Sequence, residues 1–152
     1  RILEDYVNLD WCDKIIGGNP MYNIEAKPEH YDDIYNHLKD IEHITIWKNN
    51  EIPEKYHYGS SVRTLDFTVV ADSNWSLLKR GSLNYPGGAH GYANDNMDMN
   101  GIFYAYGPAF KTNYTHKGFE NVNVYPLICE ILGLEPVSVD GDLSETVELL
   151  KK

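Results

Sequence analysis

Cysteine is scarce in this sequence, which excludes two common cysteine-based sites. The chain has only Cys12 and Cys129, and neither belongs to the CxxC spacing of a zinc knuckle or a redox pair. Cys129 lies within the apolar run 127–132 and is predicted to be a buried free thiol. A Cys12–Cys129 disulfide is an alternative that the spacing leaves open.

Basic residues are also few. The chain has 13 Lys and Arg against 23 Asp and Glu, a formal net charge of −10, and no run of basic residues. Such a surface repels phosphate backbones and anionic lipid, so we expect no stable nucleic-acid binding. A phosphate-ester substrate stays open, because a bound divalent cation reverses the potential within a pocket.

Long apolar runs are absent. No stretch approaches the roughly 20 apolar residues that cross a bilayer, and no signal-peptide pattern is present, so we expect no membrane segment in this chain. With 152 residues, 42% of them hydrophobic, the chain is long enough to bury a core. It begins at Arg1 rather than Met and enters a pattern typical of a domain interior, which predicts an excised or processed piece.

The first half of the chain predicts a small mixed α/β subdomain over residues 1–78. Apolar periodicity predicts one amphipathic helix, and short alternating or β-branched runs predict strands between turn signals. The helix is expected at 29–39, and the strands at 12–16, 22–25, 43–47, 66–71 and 75–78, the last as a hairpin partner of the fourth.

The second half, residues 79–152, predicts a long loop followed by elements of a larger sheet. Residues 79–101 are rich in Gly, Asn and Asp and lack an apolar period, which is typical of a functional or mobile loop. The run 102–106 predicts a buried strand, and helices are expected at 123–132 and 144–150. A single strand of this kind indicates that the rest of its sheet lies elsewhere.

One histidine stands out in the long loop. His90 lies between Ala89 and Gly91, directly after Gly87 and Gly88, so its imidazole can approach a metal ion without steric obstruction. A single imidazole does not hold a metal alone, so the sequence predicts one donor of a site whose other donors lie elsewhere. The nearby acidic pair, Asp95 and Asp98, is expected to be solvated rather than to bind a cation.

Five segments together resemble one enzyme family. Three of them, taken in order, resemble the C-terminal motif of nucleotide pyrophosphatases/phosphodiesterases. They are His-Gly-Tyr and Asn at 90–94, a methionine at 97 or 99, and Ile-Phe-x-Ala-x-Gly-Pro-x-Phe-Lys at 102–111. The segment 118–136 is similar to the one that follows in that family, and 51–58 is similar to the one before its last metal histidine. This family belongs to the alkaline phosphatase superfamily.

The resemblance implies a fold, a cofactor and a substrate class. It implies part of an alkaline-phosphatase-like α/β sandwich, two zinc ions in the complete site, and a Thr or Ser nucleophile that receives the phosphate group before water does. Of the family's metal ligands only the last has an equivalent here, His90. The substrate would be a nucleotide or another phosphodiester, and the protein would be secreted or periplasmic.

The same resemblance implies that this chain is incomplete as a catalyst. No nucleophile motif and no further metal-ligand motif is present, so the chain looks like the C-terminal portion of a catalytic domain, with the N-terminal portion as its structural partner. We expect it to be inactive alone and to hold no catalytic residue.

One position departs from the family pattern. Ala93 stands where the family usually has Asp, and Asp95 is the nearest carboxylate that could support the loop instead. Two alternatives stay open: a non-catalytic binding module that uses the 12 tyrosines and the acidic surface, and a phosphomonoester or sulfate-ester hydrolase of the same superfamily.

Overall fold

The computed structural model describes residues 1–61, 63–82 and 87–151. The chain divides into two compact units, Arg1–Gly101 and Ile102–Lys152. The sequence predicts a different division, between residues 1–78 and 79–152, which separates two segments by their roles in a complete catalytic domain. That division stays a prediction. Within the described ranges, no helix has both the length and the apolar character needed to cross a membrane.

A four-stranded antiparallel sheet with one helix forms the first unit. The strands are β1 (Cys12–Gly18), β2 (Met21–Ala26), β3 (Ile44–Lys48) and β4 (Phe67–Ala71), and they lie in the order β1-β2-β4-β3. The helix, α1, spans Tyr31–Leu38 after a short 3-10 turn that begins with Pro28. The four strands and the helix match the predicted ones closely, which confirms the α/β class of this part.

The core of this unit lies between α1 and one face of the sheet. Ile34 and Leu38 of α1 are fully buried, and the rings of Tyr31 and Tyr35 lie 4.5 and 6.2 Å from that of Phe67. Because α1 covers only one face, alternate residues of β3 differ: Ile44 and Ile46 are buried, while Thr45 and Trp47 are partly exposed. The half-exposed face is the one near the candidate site.

The predicted strand at 75–78 is wrong. β4 already pairs with β2 along one edge and with β3 along the other, so no edge is free for a hairpin partner. The segment instead forms a turn in which the Trp75 amide donates to the Asp72 carbonyl, and Leu78 makes a parallel bridge with Ile2.

The described part of the second unit contains one α-helix and three short 3-10 turns, the first at Asn121–Asn123 directly before the helix. The helix, α2 (Val124–Leu132), ends at Gly133, whose φ of 66° provides the left-handed conformation of a C-terminal cap. The predicted helix at 144–150 is two 3-10 turns, Leu143–Glu145 and Val147–Leu149, and the Asp142 carboxylate caps the first by accepting from the Ser144 amide. Both cysteines are free and Cys129 is buried, which confirms the predicted thiol.

The predicted strand at 102–106 has no partner among the described residues. Ile102, Tyr104 and Tyr106 are 96%, 82% and 90% exposed, and no backbone hydrogen bond within the described ranges joins the run to a strand. A strand needs a neighbour to accept its hydrogen bonds. Because the sequence predicts that the rest of its sheet lies outside this chain, the buried strand stays a prediction. On α2, Leu127 is buried and Ile128 is 47% exposed.

Two adjacent glycines at the end of β1 provide a first test of the fold. A Cβ at Gly17 (φ +110°) would lie 2.5 Å from the Met21 carbonyl oxygen, whereas a Cβ at Gly18 would meet nothing within 4 Å. We expect Gly17→Ala to lower the free energy of unfolding by about 1–3 kcal/mol. Gly18→Ala, the matched control, should change it by less than about 1 kcal/mol. Equal urea midpoints for the two variants would contradict this turn geometry.

Candidate functional site

His90 lies on an exposed loop that contacts the β1–β2 turn. Its side chain is exposed, and the next residue, Gly91, has a φ of +96°. A Cβ at Gly91 would lie 3.7 Å from Cδ of Pro20, which is fully buried in the turn between β1 and β2. The glycine therefore allows the chain to reverse beside Pro20 and to present the imidazole to solvent.

Hydrogen bonds attach the residues after His90 to the 72–75 turn. The Tyr92 hydroxyl donates to the Trp75 carbonyl oxygen at 2.8 Å, and the Asn96 side-chain amide donates to the Ser73 hydroxyl at 2.5 Å. The Trp75 ring is itself stacked on His43, with centroids 3.9 Å apart and planes 10° from parallel. The turn that accepts the Tyr92 hydrogen bond is therefore itself stabilised by the stacking of Trp75 on His43.

An ion pair gives the same loop a third attachment. Lys55 Nζ lies 2.5 Å from Asp95 Oδ2, and the lysine also lies over the Tyr56 ring at 4.8 Å. The hydrogen bond between them lowers the pKa of the Asp95 carboxyl and raises the pKa of the Lys55 ammonium. The pair therefore persists across the neutral range: it is lost only as pH falls through the lowered pKa of Asp95 or rises through the raised pKa of Lys55.

A pocket of about 300 Å³ lies between this loop and the sheet. Tyr92, Ala93, Asp95 and Asn96 line it from the loop. From the rest of the unit it is lined by Thr45, Trp47, Tyr56, Val70, Ala71, Asp72 and Ser73. Residues 92–96 of the loop and the pocket-lining residues of the sheet therefore face each other across an open space.

The described residues do not form a zinc site by themselves. Among residues 1–61, 63–82 and 87–151, no group of three or more His, Cys, Asp or Glu side chains could hold a metal ion. His90 fits as one donor, because its imidazole is exposed and histidine nitrogen is a common zinc ligand in proteins. Its role as a ligand stays a prediction.

Two further histidines and the acidic pair of the loop have other surroundings. His57 is exposed at the end of a 3-10 turn, and His116 is partly buried against Tyr114 and Phe119. Asp98 is exposed, and Asp95 forms the ion pair with Lys55.

Sequence reasoning missed the residues that attach the loop. Lys55 and Asp95 are 40 positions apart, and Ser73 and Asn96 are 23 apart. Neither pairing has a local sequence signal, because each depends on how the sheet brings two loops together. Only the unexpected Ala93 pointed to Asp95 as a support.

Comparisons with known proteins agree on one family. The sequence model of the family Type I phosphodiesterase / nucleotide pyrophosphatase matches residues 2–93. The chain is 31% identical to human (Homo sapiens) ectonucleotide pyrophosphatase/phosphodiesterase family member 5 over 149 residues, which are 97% of this chain and 31% of that protein. It is 37% identical to a bis(5′-adenosyl)-triphosphatase of Bos taurus over 119 residues, which are 77% of this chain and 26% of that protein.

Solved structures give the same result. The human family member 5 superposes with a TM-score of 0.93 at 30% identity, covering 100% of this chain and 41% of that one. An inactive variant of the murine family member 5, in which a threonine is replaced by alanine, was solved in complex with AMP; it superposes with a TM-score of 0.92 at 31% identity, covering 99% of this chain and 41% of that one. The predicted fold, part of the catalytic domain of this family, is confirmed.

The chain spans 31% and 26% of the lengths of these two relatives. The family match nevertheless covers more than half of the chain and includes His90 and the loop residues up to Ala93. From the fold, the exposed histidine loop and these matches together, we conclude that the chain belongs to the type I phosphodiesterase/nucleotide pyrophosphatase family.

Proposed function

We propose that the complete protein carrying this chain is a zinc-dependent phosphodiesterase or nucleotide pyrophosphatase. The observation that carries the proposal is the superposition of the whole chain on a family catalytic domain, with a TM-score of 0.93. The names of the relatives, among them a bis(5′-adenosyl)-triphosphatase, support a nucleotide or another phosphodiester as substrate.

In this proposal His90 is one ligand of a two-zinc centre. Bound zinc would lower the pKa of a hydroxyl nucleophile and would stabilise charge on the phosphoryl group. This chain contributes the imidazole of His90 on a loop held by Tyr92, Asn96 and Asp95. The other ligands and the Thr or Ser nucleophile are proposed to lie outside this chain, and the inactive threonine variant of the murine relative supports a hydroxyl nucleophile.

The cellular location is part of the same proposal. We propose that the protein is secreted or periplasmic, which is supported by the "ectonucleotide" names of the relatives. The N-terminal part of the catalytic domain is proposed as the structural partner of this chain.

Hydrolysis assays test the proposed activity. With zinc, the complete protein is expected to hydrolyse bis-(p-nitrophenyl) phosphate and diadenosine triphosphate, to lose this activity on chelation, and to regain it when zinc is added back. The 152-residue chain alone, the matched control, is expected to release no product. Preferential turnover of p-nitrophenyl phosphate or p-nitrophenyl sulfate would contradict the diester proposal, and so would the absence of any turnover.

A further inference from the structure

The loop that carries His90 is held without apolar burial. No residue between 87 and 101 is buried. A segment of this kind gains little from the hydrophobic effect, so specific polar contacts determine its position. Because the pocket of about 300 Å³ separates residues 92–96 from much of the sheet, close packing does not compensate.

Three described side-chain contacts cross from residues 92–96 to the rest of the first unit. Two of them, Tyr92 to Trp75 and Asn96 to Ser73, reach the same turn. The third joins Asp95 to Lys55, on the short Glu54–Tyr56 turn. Contacts to a single turn leave rotation about that turn possible, and the ion pair supplies a second, separate point of attachment.

The Asp95 carboxylate is engaged with a cation rather than free in solvent. Its Oδ2 and Lys55 Nζ are 2.5 Å apart. Residues 90–94 hold no carboxylate that could make this contact instead.

We propose that the Lys55–Asp95 ion pair is the positioning contact that fixes the His90 loop for metal binding. The proposal rests on the proposed ligand role of His90. Because both partners are exposed, salt screens their attraction, so the order of the loop and the zinc affinity depend on ionic strength through this pair.

Hydrogen–deuterium exchange of the metal-free complete protein tests the positioning role without relying on activity. Asp95→Asn and Lys55→Gln are each expected to speed exchange of the amides at 88–96 about fivefold at low salt. The reversed pair, Lys55→Asp with Asp95→Lys, should restore protection. Asp98→Asn, which removes an exposed carboxylate from the same loop, is the matched control and should change nothing. Unchanged exchange in both single variants would overturn the proposal.

Zinc affinity, measured by competition with a chelating dye, provides the second readout. Asp95→Asn is expected to bind zinc about fivefold more weakly at low salt, and the difference from the unmodified protein should vanish near 1 M salt. Excess zinc should restore kcat in this variant with KM unchanged. An equal zinc affinity at all salt concentrations, together with altered loop exchange, would overturn the link to the metal while leaving the loop contact in place. If the complete protein binds no zinc, the proposed function fails, and the exchange experiment still decides whether the pair positions the loop.

Discussion

Replacing His90 with alanine in the complete protein is expected to remove zinc and diester hydrolysis together. The imidazole is exposed on a loop whose neighbours are attached to the sheet, so its removal deletes a donor and leaves the surrounding fold intact. Loss of residues that merely support a metal ligand costs about 10- to 100-fold, so loss of a ligand should lower kcat/KM by more than about 100-fold. Zinc content by mass spectrometry should fall in parallel with the bis-(p-nitrophenyl) phosphate rate.

His57 provides the matched control for this experiment. It is also exposed and lies in the same unit, and its φ of 47° is left-handed, which asparagine tolerates. His57→Asn should therefore keep full zinc content and activity. A His90→Ala protein that keeps both zinc ions and its hydrolysis rate would show that the imidazole is not a ligand.

Replacing Phe67 with alanine is expected to have the largest effect on stability. Phe67 is fully buried at the start of β4 and contacts the rings of Tyr31 and Tyr35, through which α1 packs on the sheet. Deleting a buried phenylalanine side chain costs about 3–5 kcal/mol, a large part of the roughly 5–15 kcal/mol that stabilises a typical domain. Urea unfolding of the complete protein, followed by circular dichroism, measures the change.

Leu9 is the control for that substitution. Its side chain is 38% exposed and lies in the same unit, so Leu9→Ala should cost less than about 1 kcal/mol. A Phe67→Ala protein as stable as Leu9→Ala would contradict the placement of α1 over the sheet.

Local pattern was enough to predict the four strands and the helix of the first unit. The alternation of residues 43–47, the β-branched run 66–71 and the helical period of 29–39 each depend on whether a side chain faces a core, and all three match observed elements. The caps at Gly133 and Asp142 also depend only on residues that are near in sequence. Such signals are readable because they depend on residues within one or two turns of each other.

The failures depend on partners distant in sequence. The segment 75–78 has strand-like composition, but β2 and β3 occupy both edges of β4, which no local pattern reveals. The run 102–106 has the composition of a buried strand, and its predicted partners lie outside this chain, because composition indicates what a segment can bury and not which neighbour it meets. At the site, His90 was identified from its neighbouring glycines and from the family resemblance. Lys55 could not be identified in this way, because its contact with Asp95 forms only when the chain folds.

Anomalous diffraction at the zinc edge from crystals of the complete protein tests the central claim most directly. We expect a zinc ion about 2.0–2.1 Å from a ring nitrogen of His90, with the other donors supplied from outside residues 1–152. A fully occupied two-zinc centre with the His90 ring turned away from both ions would contradict it.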